Sequence, residues 1–492
     1  MRYLLGIDFG GGASKATLLN SDGNVVATHS VEYPTHYPQF GYAEQNPDDW
    51  YTAVRKNIAG VLEKSGASPD DILALCLDAA THTAVLMDKD FNVLRPAIYW
   101  TDSRSIEQSE MLRKEYQELI LKQALHVPDT IWTLPQLLWV RDNQPETWKK
   151  TERIMFAKDY VRYMLTDVYC TDIIEAQGSM LFDYNTMNWS PDLCKIAGLS
   201  IENLPTLNKP TDIIGRVTKK ASANTGLKAG TPVICGTTDT IMEIFAAGAV
   251  STGQMTVKLA TAGRICVITD RAYPDKNLIN YSHVANGLWY PGTATKSCAA
   301  SYRWFRDTFG QSYTELDKAA AEVPAGSDGL MFHPYLNGEL TPYADPLLRG
   351  SFTGVRAGHR KSHFSRAVLE GVAFSLLDCK KVLEQIGISH ENTATIIGGG
   401  ANSKLWRQIT SDVLGIELRQ NENSDSSFGS AMLAGVAMGV FPDLQNALER
   451  CNKYISVTKP NPQNTALYSN IFNRYKKIHD ALAPIYHEMG EG

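Results

Sequence analysis

The chain has 492 residues, 43% hydrophobic and 20% charged, and its 47 Lys+Arg against 53 Asp+Glu give a net charge of −6. At about 150 residues per domain this length predicts two or three domains with a sizeable core, which excludes a disulfide miniprotein and general disorder. The acidic balance supplies no basic footprint for a nucleic acid, although it leaves room for a local site that takes a small anion. The eight cysteines never fall at C-x-x-C spacing and mostly lie in apolar runs, so they read as reduced core residues, Cys298 included. No uncharged stretch reaches the ~20 residues of a membrane span, and a strand-like run opens at Tyr3 without a cationic leader. A cytoplasmic protein with no membrane partner is the expectation.

Three short strands are predicted first, at 3–7, 15–19 and 24–28, the last two joined by the hairpin turn Ser21-Asp22-Gly23. Between the first two lies Asp8-Phe9-Gly10-Gly11-Gly12-Ala13-Ser14, where adjacent glycines leave backbone amides free to point at a phosphate. A strand follows this turn, whereas Rossmann and Walker loops hand the phosphate to a helix. A helix then starts at Pro47, with Val54, Ile58, Val61 and Leu62 on one face. Strands are expected at 72–77 and 84–87, around the polar turn 78–83, and another runs into Trp100-Thr101-Asp102-Ser103-Arg104. Residues 106–166 read as mostly helical, and 167–207 as loop-rich. A second strand-turn-strand glycine loop appears at 255–264, beyond Gly236-Thr237-Thr238-Asp239. The chain closes with a helix at 365–383, a strand at 393–397, the turn 398–403, a helix at 405–414 and a Gly-rich helix after Phe428. The alternation is α/β, and the two similar loops half a chain apart suggest two halves, 1–250 and 251–492, facing one ligand.

Each candidate has a plain reading beside the chemical one. Asp8 is either a turn residue or a carboxylate for hydrated Mg²⁺, with Gly10, Gly11, Gly12 and Lys15 around a terminal phosphate. Asp239, just before an apolar helix, either favours the helix dipole or serves as the base that deprotonates an alcohol during phosphoryl transfer. Gly398 to Gly400 form either an ordinary turn or a flat shelf for adenine or ribose. His82 is either a satisfied structural histidine or a ligand contact, and Asp102 with Arg104 either a strand-end ion pair or part of a site.

In combination these segments resemble the FGGY carbohydrate kinases. The resemblance rests on Gly6-Ile7-Asp8-Phe9-Gly10 with Lys15, on residues 42–50, on Trp100 to Arg104, on Thr133 to Trp139 and on Lys158-Asp159-Tyr160. It continues through Gly236 to Asp239, Pro334 to Glu339 with Pro342, Gly350 to Val355, Ser365 to Gly371 and Gly398 to Ala401, all in order. It implies two actin-like ATPase domains, each with a ribonuclease H-like core, enclosing an interdomain cleft. It also implies transfer of the ATP γ-phosphate to a sugar hydroxyl. Carried over, Asp239 is the catalytic base and Asp8 the Mg²⁺-associated carboxylate. Gly10, Lys15, Thr261 and Gly263 are phosphate contacts, and Gly399, Gly400 and Ala401, with Asn402 beside them, form the adenosine site. Thr81, His82, Asp102 and Asp239 then line the sugar.

The chain departs from the family pattern at Gly11, where threonine is usual, at Gln136, where lysine is usual, and at Ala260 and Ala262 in the second loop. Glycine at 11 keeps the amide and loses a hydroxyl, so a modest effect is expected. The turn Asp78 to Thr83 mixes features of pentulose-kinase members and speaks against glycerol, so a ketopentose is expected, xylulose before ribulose. A sensor that binds ATP and sugar without transferring phosphate is the alternative of a different class. The resemblance also implies a homodimer, without locating its interface.

Overall fold

The computed structural model describes residues 2–490. Two six-stranded mixed sheets organise it. The first contains β1 (Tyr3–Phe9), β2 (Ala13–Asn20), β3 (Val25–Glu32), β4 (Ile72–Ala79), β5 (Ile213–Arg216) and β6 (Pro232–Ile234), in the order β5-β6-β4-β1-β2-β3. The second contains β7 (Met255–Leu259), β8 (Gly263–Val267), β9 (Gly292–Thr295), β10 (Thr393–Ile397), β11 (Glu417–Asn421) and β12 (Tyr454–Thr458), in the order β9-β8-β7-β10-β11-β12. Each sheet begins with an antiparallel meander whose first strand pairs in parallel with a later strand, β1 with β4 and β7 with β10. The two sheets therefore repeat one topology, as the paired glycine loops suggest, and the fold is that of the two-domain FGGY carbohydrate kinases, actin-like in plan.

Side-chain alternation explains why the first sheet is covered on both faces. Leu5, Ile7 and Leu75 pack with Val54 and Ile58 of helix Pro47–Ser65, whereas Leu4, Ala74 and Cys76 pack with Phe428, Ala431 and Met432. Helix Ser426–Ala437 comes from far along the chain, yet it lies on β1 so closely that a Cβ on Gly6 would stand 2.0 Å from the Ser427 carbonyl oxygen. A Cβ on Gly429 would likewise meet the Met242 carbonyl at 2.2 Å, in helix Asp239–Ala246. These two glycines permit the backbone approach that sets β1 and helix 239–246 against one another.

Most expected elements form within a few residues of the predicted limits. The strand leading to Trp100 is only Ala97–Ile98. The stretch expected to be loop-rich holds strand Cys170–Asp172 and helices Ile173–Gly178 and Pro191–Ala197. Their lengths fall below what a periodic pattern reveals, and they are stabilised by caps: Asp172 accepts from the Ile174 and Glu175 amides, and Ser190 from the Leu193 amide. All eight cysteines are buried and free, and burial pushes the Cys298 thiol up, which keeps it protonated. No helix among the described residues is long and apolar enough to cross a membrane.

Candidate active site

The first sheet's central strands end in carboxylates. Asp8 of β1 lies beside Asp78 of β4 in parallel register and opposite Lys15 of β2. Asp8 Oδ1 and Asp78 Oδ1 are enclosed without hydrogen-bond partners, while Asp78 Oδ2 accepts from the Ser430 hydroxyl. Burial, reinforced by Asp239, pushes the Asp8 carboxyl up to about 7, and burial with Asp8 beside it holds Asp78 well above the usual carboxylate range. Each carboxyl thus sits in a setting that raises its proton affinity.

The glycine turn that follows is pinned from behind. The Gly11 carbonyl accepts from Thr35 Oγ1 at 2.8 Å and Gln45 Nε2 at 2.9 Å, the Gly10 carbonyl from the Tyr33 hydroxyl, and the Gly12 carbonyl from the Tyr33 amide at 3.0 Å. The Gly10 amide closes the turn on the Ala13 carbonyl at 3.1 Å, so it is spent within the loop, contrary to the expectation that it faces phosphate. Gly11 and Gly12 are exposed. A Cβ on Gly11 would stand 2.7 Å from the Tyr99 hydroxyl, at the far end of that side chain. Lys15, expected to be free for phosphate, is tied to Asp425 at 3.0 Å, a partly exposed pair that joins the loop to the cap of helix 426–437.

Asp239 is the first residue of its helix, after the cap Thr238. Three donors converge on Oδ1: the Thr240 amide at 2.6 Å, the Thr81 hydroxyl at 3.0 Å and the Thr240 hydroxyl at 3.2 Å. They orient the carboxylate and leave Oδ2 for a ligand. Burial raises its proton affinity, opposed by the nearby Lys258 ammonium. A rigidly held carboxylate with one open oxygen and raised basicity suits a general base.

His82 adopts φ 51° and its ring lies 4.8 Å from that of Trp132. Its amide donates to Glu175 and its carbonyl accepts from Thr133 Oγ1 at 2.6 Å. Burial pushes the imidazole down to about 3, so it is neutral. The ring needs the glycine at 178, where a Cβ would come within 2.6 Å of His82 Cδ2. Asp102 departs from expectation. Arg104 engages both its oxygens at 2.8–3.0 Å, the Ala43 amide takes Oδ2 as well, and the Arg104 guanidinium is stacked on Tyr42 and held by Glu44. The position is that of the strand-end ion pair, with its acceptor capacity taken up by the protein.

In the second half the expected nucleotide residues divide. The Thr261 carbonyl accepts from the Cys298 amide at 3.0 Å, and Thr261 itself is exposed. Gly263 is buried, and a Cβ there would strike Thr295 Cγ2 at 2.6 Å, so it is glycine for packing. Gly399 is open, with nothing within 4 Å of the place a Cβ would take, whereas Gly400 is crowded by Leu259 at 2.8 Å and Ala401 is buried. Asn402 is exposed and accepts from Gln420 at 3.3 Å.

Several residues that hold the site together have no role legible in the sequence. Lys158, wholly buried, pairs with Asp172 at 2.7 Å and with Asp159, which also takes Arg162 at 2.9 Å. Asp172 accepts from Thr237 at 2.8 Å, and Glu175, near Lys158, holds the His82 amide. This network thus fixes the turns that carry His82 and Asp239 relative to one another. The Lys-Asp-Tyr motif was its visible part; the rest is scattered over 80 residues of short elements.

The chain matches the FGGY family of carbohydrate kinases, N-terminal domain, over residues 3–246 and its C-terminal domain over 234–438. It is 33% identical over 484 residues to the xylulose kinase of Bacillus subtilis (strain 168), covering 97% of each chain. Among solved structures it resembles a ligand-bound xylulose kinase from Lactobacillus acidophilus, with TM-score 0.94, 25% identity and coverage of 99% and 100%. A gluconate kinase from the same organism gives TM-score 0.93, 25% identity and 99% of both chains. With its repeated sheet topology, its strand-end carboxylates and both domain models matched in order, the chain belongs to the FGGY family of carbohydrate kinases and is an ATP-dependent sugar kinase.

Proposed function

We propose that this kinase phosphorylates the terminal hydroxyl of a ketopentose, xylulose before ribulose, giving the pentulose 5-phosphate and ADP. The observation that carries the reading is Asp239, whose Oδ1 is saturated by Thr81 and Thr240 and whose Oδ2 stays open beside the His82 turn. Asp239 takes the hydroxyl proton, and the alkoxide oxygen attacks the γ-phosphorus in line. Thr81 and neutral His82 border the sugar, and the exposed amides of Gly11 and Gly12 face the terminal phosphate. Thr261 and the open turn 399–402 border the nucleotide. In this reading residues 1–250 hold mainly the sugar and 251–492 mainly the nucleotide. The similarity to xylulose kinases over the whole chain length supports the acceptor class.

The donor set fits hydrated Mg²⁺. Asp8 presents an enclosed oxygen without a protein partner and a carboxyl near neutrality in its proton affinity, and Mg²⁺ keeps several waters while taking one or two carboxylates. When bound, it neutralises charge on the triphosphate. We assign a cytoplasmic setting and a small sugar as partner, with a homodimer proposed from the family likeness alone.

The reading is tested by incubating the enzyme with MgATP and a panel of ketoses and polyols, identifying the product by mass and regiochemistry. Phosphorylation at the terminal hydroxyl of xylulose, with ATP hydrolysis at least about tenfold slower when sugar is absent, is expected of a site that closes on its acceptor. Equal ATP consumption with and without every sugar would overturn it and return the non-catalytic sensor to consideration.

A further inference from the structure

The Tyr99 ring stands where two parts of the site meet. It packs with Ala43 and Ala80, and Ala80 leads directly into Thr81, which orients Asp239. The Ala80 amide donates to the Phe9 carbonyl at 3.2 Å, so the turn that carries Thr81 and His82 is fastened to the strand end that opens the glycine turn. Backbone bonds fix the tyrosine itself: its amide donates to the Ala43 carbonyl at 2.9 Å, and its carbonyl accepts from the Asp102 amide at 2.9 Å. The far end of the ring reaches Gly11, where a Cβ would meet the hydroxyl oxygen at 2.7 Å and the carbon bearing it at 3.5 Å. The phenol oxygen thus occupies the place a side chain at 11 would take.

This hydroxyl has a proton to give. Tyr99 is 6% exposed, and its O–H donates to no acceptor among the described residues. The neighbouring Trp100, with ring centroids 5.8 Å apart, offers only an N–H, which serves the phenol oxygen and leaves the O–H free. Burial, reinforced by Asp239, holds the phenol above its ordinary range, so it stays protonated. The backbone beside it is prepared in the same sense, because a trans peptide points its N–H opposite its C=O. The Tyr33 hydroxyl on the Gly10 carbonyl therefore aims the Gly11 amide away from the rear support, and Thr35 with Gln45 on the Gly11 carbonyl does the same for the Gly12 amide. Neither amide donates to a group among the described residues.

Three donors without acceptors at one turn are costly to keep unless a ligand takes them. We propose that the Tyr99 hydroxyl is a catalytic hydrogen-bond donor that, together with the Gly11 and Gly12 amides, holds the γ-phosphoryl oxygens as phosphate passes to the sugar. The inference rests on the kinase reading above and adds a residue to that site. Charge spreads over those oxygens in the transition state, so a donor fixed at the turn acts more strongly there than on the bound nucleotide. Tyr99 keeps its proton throughout: the sugar hydroxyl proton passes to Asp239, the sugar oxygen bonds to the γ-phosphorus, and the bond between that phosphorus and the ADP oxygen breaks.

The test removes the hydroxyl alone, with Tyr99→Phe, and follows turnover of xylulose with MgATP. Its kcat is expected to fall about tenfold to a hundredfold, with the KM for each substrate within about twofold of the wild type and the melting temperature nearly unchanged. Adding Gly11→Thr to Tyr99→Phe supplies a hydroxyl at the vacated place and should return part of kcat. If Tyr99→Phe also melts earlier, the double variant still decides, because recovery of kcat without recovery of melting temperature belongs to the hydroxyl and not to packing. The proposal is overturned if Tyr99→Phe turns over like the wild type, or if its lowered kcat stays where it is when threonine is added at 11. It is equally overturned if only the KM for xylulose or for ATP rises, which would make the hydroxyl a ground-state contact. Failure of the kinase reading has its own signature: no phosphorylated product from the wild type with any acceptor, xylulose included.

Discussion

The two strand-turn-strand corners are topological equivalents with opposite chemistry. In the first, Asp8 faces Lys15 across the hairpin and Asp78 across the parallel pair; in the second, the same places hold Lys258, Arg264 and Ile397. The first turn has three glycines with carbonyls anchored behind and two exposed residues in front, whereas the second sends its Ala260 and Thr261 carbonyls to the start of helix Ala299–Phe309. A duplicated framework thus carries carboxylates at the end of one central strand pair and cations at the equivalent place in the other.

The largest expected effect concerns the acidic side. Asp239→Asn should lower kcat by about a thousandfold or more while leaving the fold and much of the sugar affinity, as read by a coupled ADP assay beside calorimetry. Normal turnover in that variant would remove the base from the mechanism.

Asp8→Asn should cost about a hundredfold in turnover and, unusually for a substitution in a site, should stabilise the protein at alkaline pH. The sign follows from burial. The folded-state pKa is raised from 3.8 to about 7, so the group's contribution to stability is full below about 4 and is lost as pH rises through about 7. The gain in melting temperature for Asp8→Asn should therefore be largest at about pH 8 and vanish near pH 4. A gain independent of pH would show that the carboxylate is not strained by its neighbours. The acid limb of kcat/KM in the wild type should also fall at a pH above the ordinary carboxylate range, because both Asp8 and Asp239 are raised and must ionise.

Packing separates the corners next. Gly263→Val should destabilise by about 1–3 kcal/mol in denaturant unfolding, since its first carbon already meets Thr295 at 2.6 Å. At the first corner Gly11→Thr should reduce turnover by a smaller factor, about tenfold or less, because the added carbon displaces the Tyr99 hydroxyl rather than backbone. Tyr99→Phe in the same chain should recover part of the loss; no recovery would mean that the hydroxyl is not the obstacle.

Much of this arrangement is legible in the sequence because it is local. Asp8 and its glycines, the turn at 78–83 and the Gly-Thr-Thr-Asp run each announce a strand end with a polar turn, and the eight cysteines are buried and free, as their spacing suggests. The sequence misplaces roles where a residue's partner is distant. Asp102 looks available until Arg104 folds back between Tyr42 and Trp139 to occupy it. Lys15 looks free until helix 426–437 brings Asp425 to it across 410 residues. Gly263 resembles a phosphate contact, and the structure adds a packing reason for glycine there, since a Cβ would meet Thr295 at 2.6 Å.

Alternation, turn chemistry and charge, which depend on neighbours in the chain, determined the strands, the two glycine corners and the identity of the acids. Tertiary structure alone decided which of these groups are satisfied and which are left open. Burial and hydrogen bonding depend on segments that approach through space, as in the Lys158 network that joins the His82 and Asp239 turns. Proton affinity and ligand capacity follow from that surrounding, so no reading of residues in order could assign them.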